Sequence, residues 1–280
     1  MSNFQTAIVD ADFIKYAAAA CGEKRSILVI NNETGDEYKF KTRTEFYGRG
    51  KAKNGGWLGE YNLAKDLNLS AEDFTIQDVQ TKLDFINCTN VVDYQIKSAL
   101  AGLGTNKYKA FIGRGDSFRV ERSTLLKYKG HRTSLLKPLY LKDVEEYIID
   151  TYNAEIVTGI ENDDRCVMEC YKQPNNILLA AEKDFYSCPV KYYNAATKVG
   201  TINCDTFGKL SLNDKKEVKG YGRLHLYYQT CAQDDSDNYK AHCMSDVAWG
   251  EQSAYKALVN CKNDREAWLA MEGVFKHLYP

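Results

Sequence analysis

Three apolar stretches of this chain run straight into carboxylates. Thr6-Ala7-Ile8-Val9 leads to Asp10 and Asp12. Ala154-Glu155-Ile156-Val157 leads to Glu161, Asp163 and Asp164, and Ile177-Leu178-Leu179-Ala180-Ala181 leads to Glu182 and Asp184. Each stretch has the length and character of a buried strand. Helix-favouring sequence follows the first two: an alanine-rich run over 13–21, and Cys166, Val167, Cys170 and Tyr171 at helical spacing. Strand, acid and helix in repetition predict an α/β fold, a mostly parallel central sheet flanked by helices. The acids then collect at one edge, where open α/β sheets place their ligands.

Crowded carboxylates raise one another's pKa unless a cation sits among them. Hard divalent cations take oxygen ligands, and Mg²⁺ is held by a few carboxylates together with water and substrate phosphate. Two such ions roughly 4 Å apart stabilise the attacking and leaving oxygens of a phosphodiester displacement. An acidic, solvated helix start is the plain alternative for 161–164, since Asp and Glu favour a first turn. Three acidic strand ends in one chain favour a shared metal pocket, with Mg²⁺ or Mn²⁺ as its occupant.

The chain has 280 residues, enough for one large domain with a small module. Its net charge of −1 announces no global basic field, but acids in one place and lysines around it would cancel in the total. Nine cysteines form no C-x-x-C pair, so free thiols in a reducing cytoplasm are expected rather than a zinc site. No signal peptide or membrane-length apolar run is present.

In chain order, 26–42 reads as a β-hairpin across Asn31-Asn32-Glu33-Thr34-Gly35. Residues 47–57, rich in glycine, lysine and arginine, read as a mobile basic loop. A helix is predicted over 89–102 and a strand over 107–113. Then Arg114, Arg119, Arg122, Lys127, Lys129, Arg132 and Lys137 fall within 24 positions, interleaved with Phe118, Tyr128 and His131. Basic groups bind phosphate and rings stack on unpaired bases, although a solvated basic face explains the composition as well. Further elements are a helix over 139–152, a strand pair near 190–193 and 198–203, a helix over 218–232, and helices over 251–259 and 265–277.

Taken together, Asp10, Glu161-Asn162-Asp163-Asp164, Lys183-Asp184 and Asp234-Asp235-Ser236-Asp237-Asn238 stand in an order similar to that of the flap endonuclease/5′→3′ exonuclease family. So does Phe118-Arg119 followed by Tyr128-Lys129-Gly130-His131-Arg132. The chain most resembles the short bacteriophage members, which also carry a Trp-Gly like Trp249-Gly250 in the last module. The resemblance covers most of the chain outside about 23–84, an apparent insertion. It implies a PIN-like nuclease domain over 1–205 and a C-terminal helix–three-turn–helix module over 206–280 that grips duplex DNA. It implies Asp10, Glu161, Asp163 and Asp164 as ligands of one metal, and Asp184, Asp234 and Asp237 of a second. Glu182 stands beside them where the family has Asp, and Asp12 would help through water. By the same resemblance Lys129 meets the scissile phosphate with Arg132 beside it, Tyr128 stacks on the terminal base, and Arg119 contacts backbone phosphate. Lys127, Asn238 and Lys240 complete the expected DNA contacts. His131, at a variable position of the motif, is read as a phosphate or packing contact.

The expected activity is metal-dependent 5′→3′ exonuclease or structure-specific 5′ nuclease action on DNA ends, nicks or flaps, by a cytoplasmic monomer of phage replication, primer removal or host DNA degradation. RNA–DNA hybrid is a further expected substrate. The family's glycine-rich turn is replaced by Tyr239-Lys240-Ala241-His242-Cys243, which weakens the implied K⁺ site in the helical module. About thirty residues separate Lys129 from Glu161, room for only a short arch, which suits ends and nicks over long flaps. Two other readings stand beside this one: a PIN-type RNA nuclease, and a structure-specific DNA-binding protein without catalysis. A phosphatase of small substrates leaves the basic segment and the last module without a role.

Overall fold

A computed structural model describes residues 6–130 and 135–280; His131 and Arg132 lie outside the described residues. The chain enters through β1 (Thr6–Asp10), which ends on its acid, and turns at once into α1 (Asp12–Cys21). Asp12 therefore opens a helix rather than extending the strand.

A second, separate sheet follows, with a third strand beyond the expected hairpin. β2 (Glu23–Asn31) pairs antiparallel with β3 (Glu37–Phe40) and, over nine residues, with β4 (Phe74–Lys82). Between them, α2 (Arg43–Tyr47) and α3 (Gly56–Lys65) cover one face of this sheet. The stretch over 47–57 is not the expected open loop. It closes on itself through Gly55 N–H donating to Tyr47 O (2.9 Å), and Gly56 takes a left-handed φ of 59° as α3 begins. A Cβ on Gly56 would stand 2.7 Å from Glu45 O, so only glycine fits this closure. Trp57 then turns inward onto Tyr61, with ring centroids 4.7 Å apart, beside the buried Phe46, Leu58 and Phe74. This sheet is tied at its root to the segment around Leu139. The buried Glu23 carboxylate accepts from Arg25 Nε, Gln80 Nε2 and Leu139 N–H (2.5, 3.0 and 2.7 Å).

α4 (Ile86–Leu103) leads to β5 (Tyr108–Ser117), longer than expected, then α5 (Phe118–Arg122), α6 (Leu141–Tyr152), β6 (Glu155–Gly159), α7 (Asn162–Cys170) and β7 (Asn176–Ala180). β8 (Lys191–Asn194) and β9 (Thr201–Asn203) close the sheet as the anticipated pair. The strand order is β6-β5-β1-β7-β8-β9, parallel throughout except for β9. Alternation then divides the core. Ala7, Val9, Ile112, Ile177 and Leu179 pack under α1, α4 and α6; Ile8, Phe111, Leu178 and Ala180 pack under α7. All five residues of β7 are buried, the mark of a strand covered on both faces.

The remaining chain forms its own core. β10 (Lys209–Leu212) pairs antiparallel with β11 (Val218–Tyr221), and α8 (Arg223–Cys231) follows. The helix expected over 218–232 thus begins only at Arg223. Gly222 has φ 79°, outside the helical region, and breaks the run into strand and helix. A short ribbon of β12 (Gln233–Asp234) and β13 (Tyr239–Lys240) precedes α9 (Glu251–Leu258) and α10 (Asp264–Leu278). Leu224, Tyr228, Leu258, Val274 and Leu278 meet at their centre. All nine cysteines are free, with only Cys21 and Cys243 exposed. Among the described residues no helix is long and apolar enough to cross a membrane.

α7 is held to the sheet by one buried acid. Glu169, 1% exposed, receives Lys109 Nζ (2.6 Å) from β5, Arg165 Nη1 (2.8 Å) from its own helix and Lys172 Nζ (2.6 Å). Burial opposes its charge, but these three cations win and bring its pKa down to about 2. A depressed carboxylate stabilises the fold above its ordinary pKa and loses that contribution as pH falls through the folded value. Glu169→Gln is therefore expected to cost roughly 2 kcal/mol at pH 7, discounted because both lysines are largely solvated. Urea unfolding of both proteins tests this: the gap should close between pH 4.5 and about 2, and a gap unchanged across that window would refute the assignment.

Candidate active site at the sheet's switch point

The chain builds β5 and β6 on one side of β1 and β7 and β8 on the other. Between β1 and β7 the winding reverses, and their carboxyl ends leave a crevice. Asp10 ends β1 there. By alternation its side chain takes the same face as Ile8, toward α7. Asn162, the first residue of α7, donates Nδ2 to Asp10 Oδ1 (2.7 Å) and to Phe111 O (3.0 Å). Asp12 N–H donates to the same Oδ1 (3.0 Å). Asp10 is fully buried, and its Oδ2 has no hydrogen-bond partner. Burial, then the charges of Asp12 and Asp163, push its pKa well up.

Asp163 lies in the first turn of α7, where the helix N-terminus favours a negative group. Burial and Glu161 nevertheless lift it to about 6. Glu182, just past β7, rises to about 7 through partial desolvation and through Asp163 and Asp184. Because Glu182 keeps more than a third of its surface in solvent, like-charge crowding is the part that matters. Asp184 is also raised, by burial and by Asp234, with Asp237 adding to it. So Asp10, Asp163, Glu182, Asp184, Asp234 and Asp237 form one electrostatic chain across the crevice, gathered from positions up to 227 apart in sequence.

Glu161, Asp164 and Asp12, and Asp234 from within that chain, hold the protein's own cations. Glu161 caps α7 without a capping bond and accepts from Ser117 Oγ (2.5 Å) and Lys129 Nζ (3.1 Å), which lower its pKa against burial. Asp164 takes both oxygens to Arg119 Nη2 (2.8 and 3.0 Å). Asp234 pairs with Lys183 Nζ (2.9 Å) and accepts from Ser236, and these bonds hold its pKa down against desolvation. Asp12 turns away to Lys15 Nζ (2.9 Å) and Gly113 N–H (3.1 Å), behind the crevice. Among the described residues no three His, Cys, Asp or Glu side chains form a ready-made metal-ligand group. Yet a buried carboxylate oxygen without a donor, among acids whose charge is uncompensated, is what a hard cation would satisfy. The donor set around Asp10 fits a divalent cation in chemistry.

Beside the acids lies a cationic wall. Lys129 Nζ sits 4.8 Å from the centre of the Tyr128 ring, and Arg119 reaches the Tyr128 hydroxyl (3.5 Å). Burial opposes the charge on Lys129, but Tyr128 and Glu161 hold its pKa above the ordinary value. Lys129 itself has a left-handed φ of 51°, and its N–H faces Asp237 O (3.4 Å). Asn238, also left-handed, donates Nδ2 to Lys127 O (3.1 Å). The basic segment is thus stitched to the turn that carries Asp234 and Asp237. A largely apolar cleft of about 400 Å³ opens between them, lined by Arg119, Leu125, Tyr128, Asn238 and Lys240 among others. The Lys127 side chain is exposed at this rim.

No family model, curated protein or solved structure matches the chain. The site therefore rests on its own geometry. That geometry couples Asp10, Asp163, Glu182 and Asp184 electrostatically, pairs Glu161, Asp164 and Asp234 with Lys129, Arg119 and Lys183, and leaves Lys127 and Lys240 exposed. Asn162, Ser117 and Lys183 are site residues that the sequence reading passed over, since nothing local marks an asparagine as the donor to an acid 152 positions away.

Asp10 carries a stability cost that can be measured. An acid raised in the folded state destabilises the fold above its ordinary pKa. Asp10→Asn should stabilise the chelated protein at pH 8 by roughly 1–3 kcal/mol, with little change at pH 3, where the wild-type carboxyl is protonated. Thermal unfolding in EDTA measures this, and a destabilised variant at pH 8 would sink it. Millimolar Mg²⁺ should raise the melting temperature of the wild type more than that of Asp10→Asn.

Proposed function

We propose that the protein is a metal-dependent nuclease that hydrolyses DNA phosphodiesters at 5′ ends, nicks or flaps, leaving a 5′-phosphate. The observation that carries this reading is the buried, unpartnered Asp10 oxygen at the switch point, beside Asp163 and Glu182; Lys129 and Arg119, paired with Glu161 and Asp164, act on Asp163 from the other side. Excess negative charge on one wall suits divalent cations, and cations on the other suit phosphate. The resemblance to the flap endonuclease/5′→3′ exonuclease family adds the expectation of a PIN-like domain and of a duplex-gripping helix–three-turn–helix. The 3-2-1-4-5 order of the parallel strands and the α9–α10 pair support that expectation.

Asp10, Asp163, Glu182 and Asp184 would hold two Mg²⁺, or Mn²⁺, with Asp234 and Asp237 beside the second. The chemistry such ions supply when bound is an activated water and charge neutralisation on the phosphate. Lys129 and Arg119 would leave Glu161 and Asp164 to meet the substrate phosphate, exchanging one anionic partner for another. That exchange keeps both cations paired with and without substrate, while Glu161 retains its Ser117 donor. Tyr128, with the cleft beside it, would receive an unpaired base by stacking. Lys127, Asn238 and Lys240 would line the strand's path.

One alternative has a specific observation in its favour. The pairs Arg119–Asp164, Lys129–Glu161 and Lys183–Asp234 satisfy three acids internally, as a binding protein without cleavage would require. A 5′-labelled nicked duplex, incubated with Mg²⁺ and with EDTA, separates the two. Metal-dependent release of 5′-mononucleotides or short oligonucleotides supports the nuclease; tight binding without release rejects it. Asp163→Asn should slow cleavage by roughly a hundredfold or more while duplex affinity changes little, because its proposed role is to hold the metal rather than the duplex.

A further inference from the structure

Asp184 is oriented from outside the central sheet. It lies at the start of a 3-10 turn, Asp184–Ser187, with three residues between it and the end of β7. Its Oδ1 accepts from Gln229 Nε2 (2.8 Å), on α8. The other end of that amide, Oε1, accepts from Ser187 Oγ, and Ser187 Oγ also meets His225 Nδ1 (2.8 Å). Ser187 and His225 are both 7% exposed.

The proton directions follow from the inventory of donors. An ionised Asp184 only accepts, so the Gln229 NH₂ faces it and Oε1 faces Ser187. The single hydroxyl hydrogen of Ser187 is then used on Gln229. His225 must therefore donate Nδ1–H to the serine oxygen, which fixes its tautomer. Burial, with Lys183 nearby, lowers the His225 pKa to about 4, so the ring stays neutral and leaves no extra positive charge beside the acids. The His225–Ser187–Gln229–Asp184 chain has one direction, because reversing the amide would set its Oε1 against the Asp184 carboxylate and lose that bond. The same turn is tied to the β11–α8 junction by Gly222 N–H donating to Tyr186 O (2.7 Å). From the other side Tyr192 Oη donates to Glu182 O (2.8 Å).

We infer that Gln229, locked by Ser187 and His225, is a positioning residue that aims the Asp184 carboxylate for metal binding, so that docking of α8 sets the geometry of the second ion. This rests on the proposed metal-dependent nuclease. With Oδ1 committed to the amide, Asp184 Oδ2 would be the oxygen offered to the cation. Groups that orient a metal-binding side chain typically govern affinity by ten- to a hundredfold.

The test uses the full chain and Mn²⁺ as the probe, its binding followed by electron paramagnetic resonance. Wild type is expected to bind two ions. Gln229→Met keeps the side-chain length and removes both bonds; its weaker Mn²⁺ site should lose roughly tenfold or more in affinity while the tighter one stays unchanged. Ser187→Ala, which frees the amide to rotate without touching Asp184, should lose part of the same affinity. A purely structural role predicts a lower melting temperature in EDTA with both Mn²⁺ affinities intact, and that result overturns the inference. Equal weakening of both sites overturns it too, since the effect would then be global. A wild type that binds no Mn²⁺ fails the nuclease reading itself, and the inference falls with it.

Discussion

Everything at this site turns on one desolvated carboxylate. Asp10 sits at the carboxyl end of the central strand, fully buried, with one oxygen held by Asn162 and Asp12 N–H and the other without a partner. An isolated buried charge costs several kcal/mol, and a fold tolerates it only where function or a counter-charge compensates. The strand order explains why it is there. The reversal between β1 and β7 opens the crevice, and the ends of β1 and β7 and the start of α7 deliver Asp10, Glu182 and Asp163 into it.

The surroundings distribute charge rather than cancel it. Acids on the deep wall share uncompensated negative charge, while Glu161, Asp164 and Asp234 at the rim hold Lys129, Arg119 and Lys183. Under the proposed function each rim cation would exchange its carboxylate for a phosphate, an anion of similar charge. The bonds from Lys129 N–H to Asp237 O and from Asn238 to Lys127 O join the basic segment to the turn that carries the last acids.

Much of the architecture was legible in local pattern. The apolar runs before Asp10, Glu161 and Glu182 became β1, β6 and β7, and helical spacing of Cys166 and Cys170 placed α7, because burial on a sheet or a helix face imposes its period on the sequence. Reading failed where distant pairing overrode local preference. The tyrosine-rich run over 218–232 splits at Gly222, whose φ of 79° serves the junction of β11 with α8. The glycine-rich stretch over 47–57 closes against its own backbone and delivers Trp57 inward. The hairpin gained β4, a partner that lies over thirty residues beyond β3 in the chain.

By itself the sequence determined the kind of sheet, the ends at which its acids stand and the basic, aromatic character of 114–137, because these depend on residue type and short-range order. Only the tertiary structure decided which acid is buried and which is paired. Asp163 and Asp164 are adjacent and chemically alike, yet one faces Asp10 and Glu182 while the other binds Arg119. That difference arises from a turn of helix and from neighbours brought in over long loops. Charge state depends on distance and desolvation, and neither is written in the order of residues.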